Sequence, residues 1–139
     1  MIAEKTITIC GREVQMRYCA AAEIGYEQLS GQSSEIFVPD IEKDEEGNIT
    51  NITQKAKADD YIKLAIAAIL AAYARKEQEP PVTADDIIYE AEPNEITMLI
   101  TTVVELRAKW YNITAVVADS PESQDSTDEA EADDKPKNA

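Results

Sequence analysis

Strict alternation of polar and apolar positions opens the chain. Thr6-Ile7-Thr8-Ile9 and Glu13-Val14-Gln15-Met16-Arg17-Tyr18 change character at every residue, which is the period of a strand with one covered face. Gly11-Arg12 lies between them, and glycine at the first central position suits a two-residue type II′ turn. The pattern predicts a β-hairpin over residues 4–19, with Ile7, Ile9, Val14, Met16 and Tyr18 sharing its buried face. Such a turn pairs Cys10 with Glu13 and sets Cys19 opposite Glu4. The two thiols then stand roughly 20 Å apart, outside disulfide reach.

The period turns helical from Ala20 to Leu29, with Ile24, Tyr26 and Leu29 as the larger apolar residues and Gly31 as the stop. Gly25 inside that helix lowers its propensity, and marks a place where another element packs closely. Residues 32–56 are harder to read. They hold Pro39, an acidic run from Glu42 to Glu46, and Gly47-Asn48. Two readings stay open: Ile36-Phe37-Val38 pairs with Ile49 to Thr53 in a loose second hairpin, or the segment takes shape only against a partner. A structureless loop of this length is unusual in a compact domain, which tilts the balance slightly to the hairpin.

Tyr61, Leu64, Ala65, Ala68, Ile69, Ala72 and Tyr73 fall on one helical stripe. Asp59 or Asp60 would cap that helix, Arg75 and Lys76 would complement its C-terminal dipole, and Pro80-Pro81 would end it. Thr83 then caps a short helix with Asp86 at its third position, a weakened capping box, and Ile87, Ile88 and Tyr89 as its apolar content. Pro93 fits the first turn of a last, long helix. Along it Ile96, Leu99, Ile100, Val103, Leu106 and Trp110 recur at helical spacing, and Glu105 and Lys109 form a favourable pair four residues apart. The expected fold is α+β: one domain over residues 1–118, in which an N-terminal β-hairpin leads into a small, mainly helical bundle. Residues 119–139 carry Ser, Pro, Asp, Glu and Ala with no large apolar side chain, and are expected to form a disordered acidic tail.

Composition narrows the function. With 139 residues, 44% of them hydrophobic, the chain has material for one modest core. Phe37 and Trp110 are the only large aromatics besides tyrosine, so that core must be aliphatic. Asp and Glu number 28 against 13 Lys and Arg, a formal charge of −15. Such a field repels nucleic-acid phosphates and anionic membranes and favours basic partners, although solubility alone is the plainer account of it. There is no secretory pattern, and the longest apolar stretch, Leu64 to Ala74, is too short to span a bilayer. A cytoplasmic location follows as the expectation. Asn-Ile-Thr triplets at Asn48, Asn51 and Asn112 match the glycosylation pattern, which carries little weight without secretion.

Chemistry is hard to find. The chain contains no histidine, its four glycines stand apart, and no serine sits in a Gly-x-Ser-x-Gly elbow. Cys10 and Cys19 have no neighbouring base and suit packing as reduced thiols. Asp59-Asp60 and Asp85-Asp86 invite Mg²⁺, but acids at helix starts are better explained by capping. The expectation is therefore no catalytic, cofactor-binding or metal residue, and a protein that works by binding other proteins.

The order of parts adds a resemblance. A short hairpin leads into a helix ending in Leu-Ser-Gly with the run Glu23-Ile24-Gly25-Tyr26-Glu27-Gln28-Leu29. An Ala-rich helix follows, from Asp60-Tyr61-Ile62-Lys63-Leu64-Ala65 to Tyr73-Ala74-Arg75, and Ala91-Glu92-Pro93-Asn94-Glu95-Ile96 opens the last one. Over about residues 4–118 this resembles the tail-assembly chaperones of long-tailed phages and prophages, through architectural order more than through a signature. The resemblance implies an α+β fold in the bacterial host cytoplasm and no enzymatic activity. It also implies binding to the tape-measure protein, which is kept soluble while tail-tube protein polymerises around it, and self-association; many members have a longer frameshifted form. The long 32–56 excursion and the acidic tail depart from the shortest members. The family supplies no catalytic residues, and the candidate partner-binding set is Leu64, Ile69, Tyr73, Leu99, Val103, Leu106 and Trp110, a stripe that elsewhere is usually core. Two alternatives stand beside this one: an acidic DNA mimic that blocks a DNA-binding protein, and a structural adaptor or minor virion component.

Overall fold

A computed structural model describes residues 2–111, so the expected acidic tail lies outside the described residues. The fold is α+β: an N-terminal β-hairpin followed by helices. One compact unit spans Ile2–Leu106, and a second begins at Arg107.

Strands β1 (Ala3–Ile9) and β2 (Arg12–Tyr18) form the first hairpin. Ile7, Ile9, Val14, Met16 and Tyr18 are all buried on it, as the alternation requires, and Ala3 joins them. The register differs from the expected one: Thr8, not Cys10, faces Glu13, and Ile7 faces Val14. The turn residues are Cys10 and Gly11, with φ of 51° and 73°, the positive values of a type I′ turn. Cys10 tolerates that conformation because its amide donates to Glu95 Oε2 at 3.0 Å and its thiol lies 3.6 Å from the Asp86 carbonyl oxygen. Each partner has thus moved by two residues, an even number, so the same side chains stay inside. Both cysteines are free.

Helix α1 (Ala20–Ser30) ends where glycine permits it: Gly31 has φ of 72° and its N–H bonds the Glu27 carbonyl at 2.9 Å. Helix α2 (Ala58–Ala74) packs against α1 and β2. Its expected stripe is buried at Leu64, Ala65, Ala68, Ile69 and Ala72, but Ile66 and Ala67 are buried as well. It is therefore the central helix, covered on nearly every side. Lys57 is its N-cap residue; Asp60 stands at the third helical position and accepts from the Lys57 amide at 2.8 Å. The same buried carboxylate takes the Tyr26 hydroxyl at 3.0 Å, joining α1 to α2.

The excursion between α1 and α2 does contain a hairpin, built from other residues than the first expected strand. Ile36-Phe37-Val38 is not a strand: Ser34–Phe37 form a 3-10 turn whose cap, Ser33, accepts from the Glu35 amide. Phe37 drops into the core, with ring centroids 4.7 Å from Tyr26 and 5.1 Å from Tyr61. Strand β3 (Asp40–Lys43) instead uses the acidic run and pairs with β4 (Ile49–Thr53). The tip is a turn from Asp44 to Gly47, with Gly47 at φ of 89° and the Asp44 carboxylate accepting from the amides of Glu46 and Asn48. Those hydrogen bonds, the one from Asn48 foremost, hold Asp44 below its ordinary pKa.

Helix α3 (Ala84–Glu90) carries the expected capping box: the Thr83 hydroxyl accepts from the Asp86 amide at 3.1 Å and Asp86 accepts from the Thr83 amide at 2.9 Å. Arg12 reaches Asp86 at 3.3 Å and the Pro81 carbonyl at 2.9 Å, fastening the hairpin turn to this helix. Helix α4 (Pro93–Tyr111) begins at the proline as expected. Glu95 meets the Cys10 amide, and Glu105 meets Lys5 at 3.5 Å in place of the expected Lys109. Ten helical residues and five strand residues each span about 15 Å, so over these residues α4 runs antiparallel along β1. In the second unit, the Trp110 and Tyr111 rings lie 4.8 Å apart and the Arg107 guanidinium sits 4.7 Å from the centre of the Tyr111 ring.

Candidate functional site

The structure places most of the expected partner-binding side chains inside the body. Leu64, Leu99, Val103 and Leu106 are between 0 and 3% exposed, so in this conformation they hold the fold together and offer a partner nothing. Ile69 is 2% exposed and is reached only from the groove that it lines. The reason lies in α2 and α4, whose apolar stripes are consumed by packing. Tyr73 is half-buried, and its hydroxyl accepts from the Gln15 amide at 3.1 Å. Lys76 reaches over from the helix end, its ammonium 5.3 Å from the centre of the Tyr73 ring and hydrogen-bonded to the Gln15 side chain. Trp110 is half-buried and belongs to the second unit.

An apolar groove lies beside them. Leu29 from the end of α1, Ile66, Ile69 and Leu70 from α2, Pro80 and Val82 from the following connection, and Ala84 and Ile87 from α3 line a groove of about 180 Å³. Thr83 is its one polar lining residue, and that hydroxyl is already engaged in the α3 cap. The volume suits one or two large aliphatic side chains. Leu29 and Leu70 are exposed at the rim, and Ile88 and Tyr89 follow Ile87 in α3 with Tyr89 82% exposed. Ile69 is the member of the expected set that belongs to this groove.

Each wall is positioned by a local choice in the sequence. Gly31 ends α1 one residue after Ser30, leaving Leu29 in its last turn. Helix α2 ends at Ala74, well before the expected stop at Pro80-Pro81. Glu77 takes a φ of 57° and the Gln78 amide donates to the Tyr73 carbonyl at 3.1 Å, which turns the chain, and the prolines lie in the connection beyond. The Thr83–Asp86 box then starts α3 so that Ile87 points inward while Ile88 and Tyr89 do not. Sequence reasoning passed over the groove because Leu70 lies off the α2 stripe and Leu29 looked like core. One signal was available: α2 is apolar at Ile66, Ala67 and Leu70 as well as along the stripe, more than one neighbouring helix covers.

Other chemistry is sparse. Among the described residues no group of three or more His, Cys, Asp or Glu side chains is arranged to hold a metal ion, and no helix is long and apolar enough to cross a membrane. Burial pushes the Cys10 thiol above its ordinary pKa, and the nearby carboxylates of Glu95, Glu90 and Asp86 push it further; such a thiol is a poor nucleophile. Compared with models of protein families, with characterised proteins and with solved structures, the chain finds no match.

Proposed function

We propose that this protein is a non-enzymatic tail-assembly chaperone of a long-tailed phage or prophage, acting in the bacterial cytoplasm. It binds helices of the tape-measure protein and keeps them soluble during assembly of the tail tube. The observation that carries the reading is an apolar groove, lined by Leu29, Ile69, Leu70, Val82 and Ile87, on a chain with a formal charge of −15. An amphipathic helix lays one anchor side chain in such a groove and rests its apolar face on the rim. A strongly charged body then lends its solubility to the complex. The order of elements, from hairpin through Ala-rich helix to capped short helix and long helix, supports the same reading.

The test is affinity capture of the tagged chain from cells carrying its native gene neighbourhood, with mass spectrometry of what is retained. A very long, helix-rich protein is expected, and its recovery should fall when Leu70→Glu is used as bait. Recovery of a basic DNA-binding protein that washes off at raised salt would overturn the chaperone reading in favour of DNA mimicry.

A further inference from the structure

The β3–β4 ribbon carries some protection against further strands, a four-residue β3 with Lys43 and a bulge in β4, but leaves apolar side chains open beside it. Every residue of both strands is exposed. Yet Ile41, Ile49 and Ile52 are 51, 56 and 53% exposed, and a two-stranded sheet leaves one edge of each strand unpaired. Apolar open edges invite further strands and are usually blunted.

A β-bulge gathers these three isoleucines. The register passes from Ile41↔Ile52 and Glu42↔Asn51 to Lys43↔Ile49, leaving Thr50 as the extra residue. Its hydroxyl donates to the Glu42 carbonyl at 3.2 Å. In an unbroken strand Ile49 and Ile52, three apart, would face opposite ways. With the bulge both join Ile41 on one face. Asp40, Glu42, Asn51 and Thr53 take the other by alternation. Lys43, opposite Ile49, shares the isoleucine face, so one side of the ribbon carries three isoleucines and a lysine and the other its acidic residues Asp40 and Glu42.

We propose that the outer edge of β3 receives an extended segment of a partner protein in which apolar residues alternate with lysine or arginine. The Asp44 amide and the Glu42 carbonyl both turn toward β4, so alternation directs the amide and carbonyl groups of Ile41 and Lys43 outward. A strand added there sets its apolar side chains beside Ile41 and its cations beside Asp40 and Glu42, each matched across the strand. Lys55 approaches Asp40 at 3.5 Å from outside the ribbon. Lys43 is the single cation among residues 40–53, against Asp40, Glu42, Asp44, Glu45 and Glu46. A second copy of the chain is a poor occupant: three half-exposed isoleucines offer a few hundred Å², short of the roughly 1,200 Å² of a stable interface, and both copies carry −15. This surface is separate from the groove and does not depend on the function proposed for it.

The experiment measures binding of a dye-labelled peptide of about nine residues, alternating valine and lysine, to the full chain by fluorescence anisotropy. Two control peptides keep its charge: one with the same residues in scrambled order, and one N-methylated at every residue so that neither of its edges can donate to a neighbouring strand. Binding by the alternating peptide should exceed that of both controls by roughly tenfold or more, and should fall by a similar factor in I41S/I49S/I52S. Equal binding of all three peptides would reduce the effect to adsorption of cations on an acidic protein and overturn the proposal. So would undiminished binding by the triple variant, or dimerisation of the free chain through the ribbon in sedimentation.

Discussion

A Cβ atom added at Gly25 of α1 would stand 3.1 Å from the Cβ of Ala67 in α2 and 3.8 Å from its Cα. The two helices therefore meet so closely that a methyl group here would have to push α2 back by a few tenths of an ångström. Both neighbouring atoms are fixed by the α2 backbone, so no rotamer change relieves the contact. Gly25→Ala should gain about 0.5–1 kcal/mol in helix propensity and lose about 1–3 kcal/mol to overpacking. A net destabilisation of about 1 kcal/mol is expected in urea titrations monitored by circular dichroism. A more stable variant would show that the helices slide apart freely.

Core and rim positions should behave oppositely. Leu64→Ala and Leu99→Ala remove fully buried side chains and should cost about 2–5 kcal/mol each. Leu70→Glu and Ile88→Glu change exposed positions and should stay within about 0.5 kcal/mol of the parent, while weakening capture of the helical partner. Thermal unfolding and affinity capture on the same four variants separate the two classes.

Alkaline pH should loosen the fold in two stages. The Cys10 thiol lies above its ordinary 9.0, chiefly through burial, and the Tyr26 hydroxyl lies above its ordinary 10.0, again chiefly through burial. Both groups hold their protons more tightly when folded. Their contribution is whole below those ordinary values and is lost as pH rises through the folded ones. The urea midpoint should fall from about pH 9 upward. Cys10→Ser should remove the earlier part of that fall and Tyr26→Phe the later part. A midpoint that declines identically in parent and both variants would assign the loss to other groups.

On the acid side the sign reverses. Asp86 lies below its ordinary 3.8, first through the Thr83 amide and then through the Thr83 hydroxyl and Arg12. Its stabilising effect is present above that value and is lost as pH falls through the folded one. Thr83→Ala removes the helix cap and should cost about 1 kcal/mol. In Asp86→Asn the stability profile below pH 4 should flatten. Equilibrium unfolding between about pH 2 and 5 reads both effects.

The elements with strong local signals were legible in the sequence. Alternation located the first hairpin and its buried face, Gly31 and Thr83 located two helix boundaries, and Pro93 a third. The hairpin register was not legible, because the turn is decided by contacts from Glu95 and Asp86, about eighty residues away. Its core survived that error since a shift of two positions preserves parity. The second hairpin was half legible: Ile49 to Thr53 alternates, but β3 lies in a run whose charges usually mark a loop, and Phe37 follows the aromatic pair Tyr26 and Tyr61 into the core instead. The groove depends on which apolar residues find neighbours, and periodicity carries no such information. Ile66 and Leu70 both lie off the α2 stripe, yet Ile66 is buried and Leu70 is exposed, a difference that only their neighbours decide.

Asp40 and Thr53 are paired, so the ribbon leaves the body and returns to it at nearly one point. The entropy of closing such an excursion grows only with the logarithm of its length, at about 0.6 kcal/mol per doubling. Its strands bury no side chain, so the body draws little stability from its presence. The ribbon is in effect an interchangeable module. It can be shortened, exchanged or altered in sequence while Phe37 on one side and Asp60 on the other keep the core intact, and its chemistry is free to follow a partner rather than the fold.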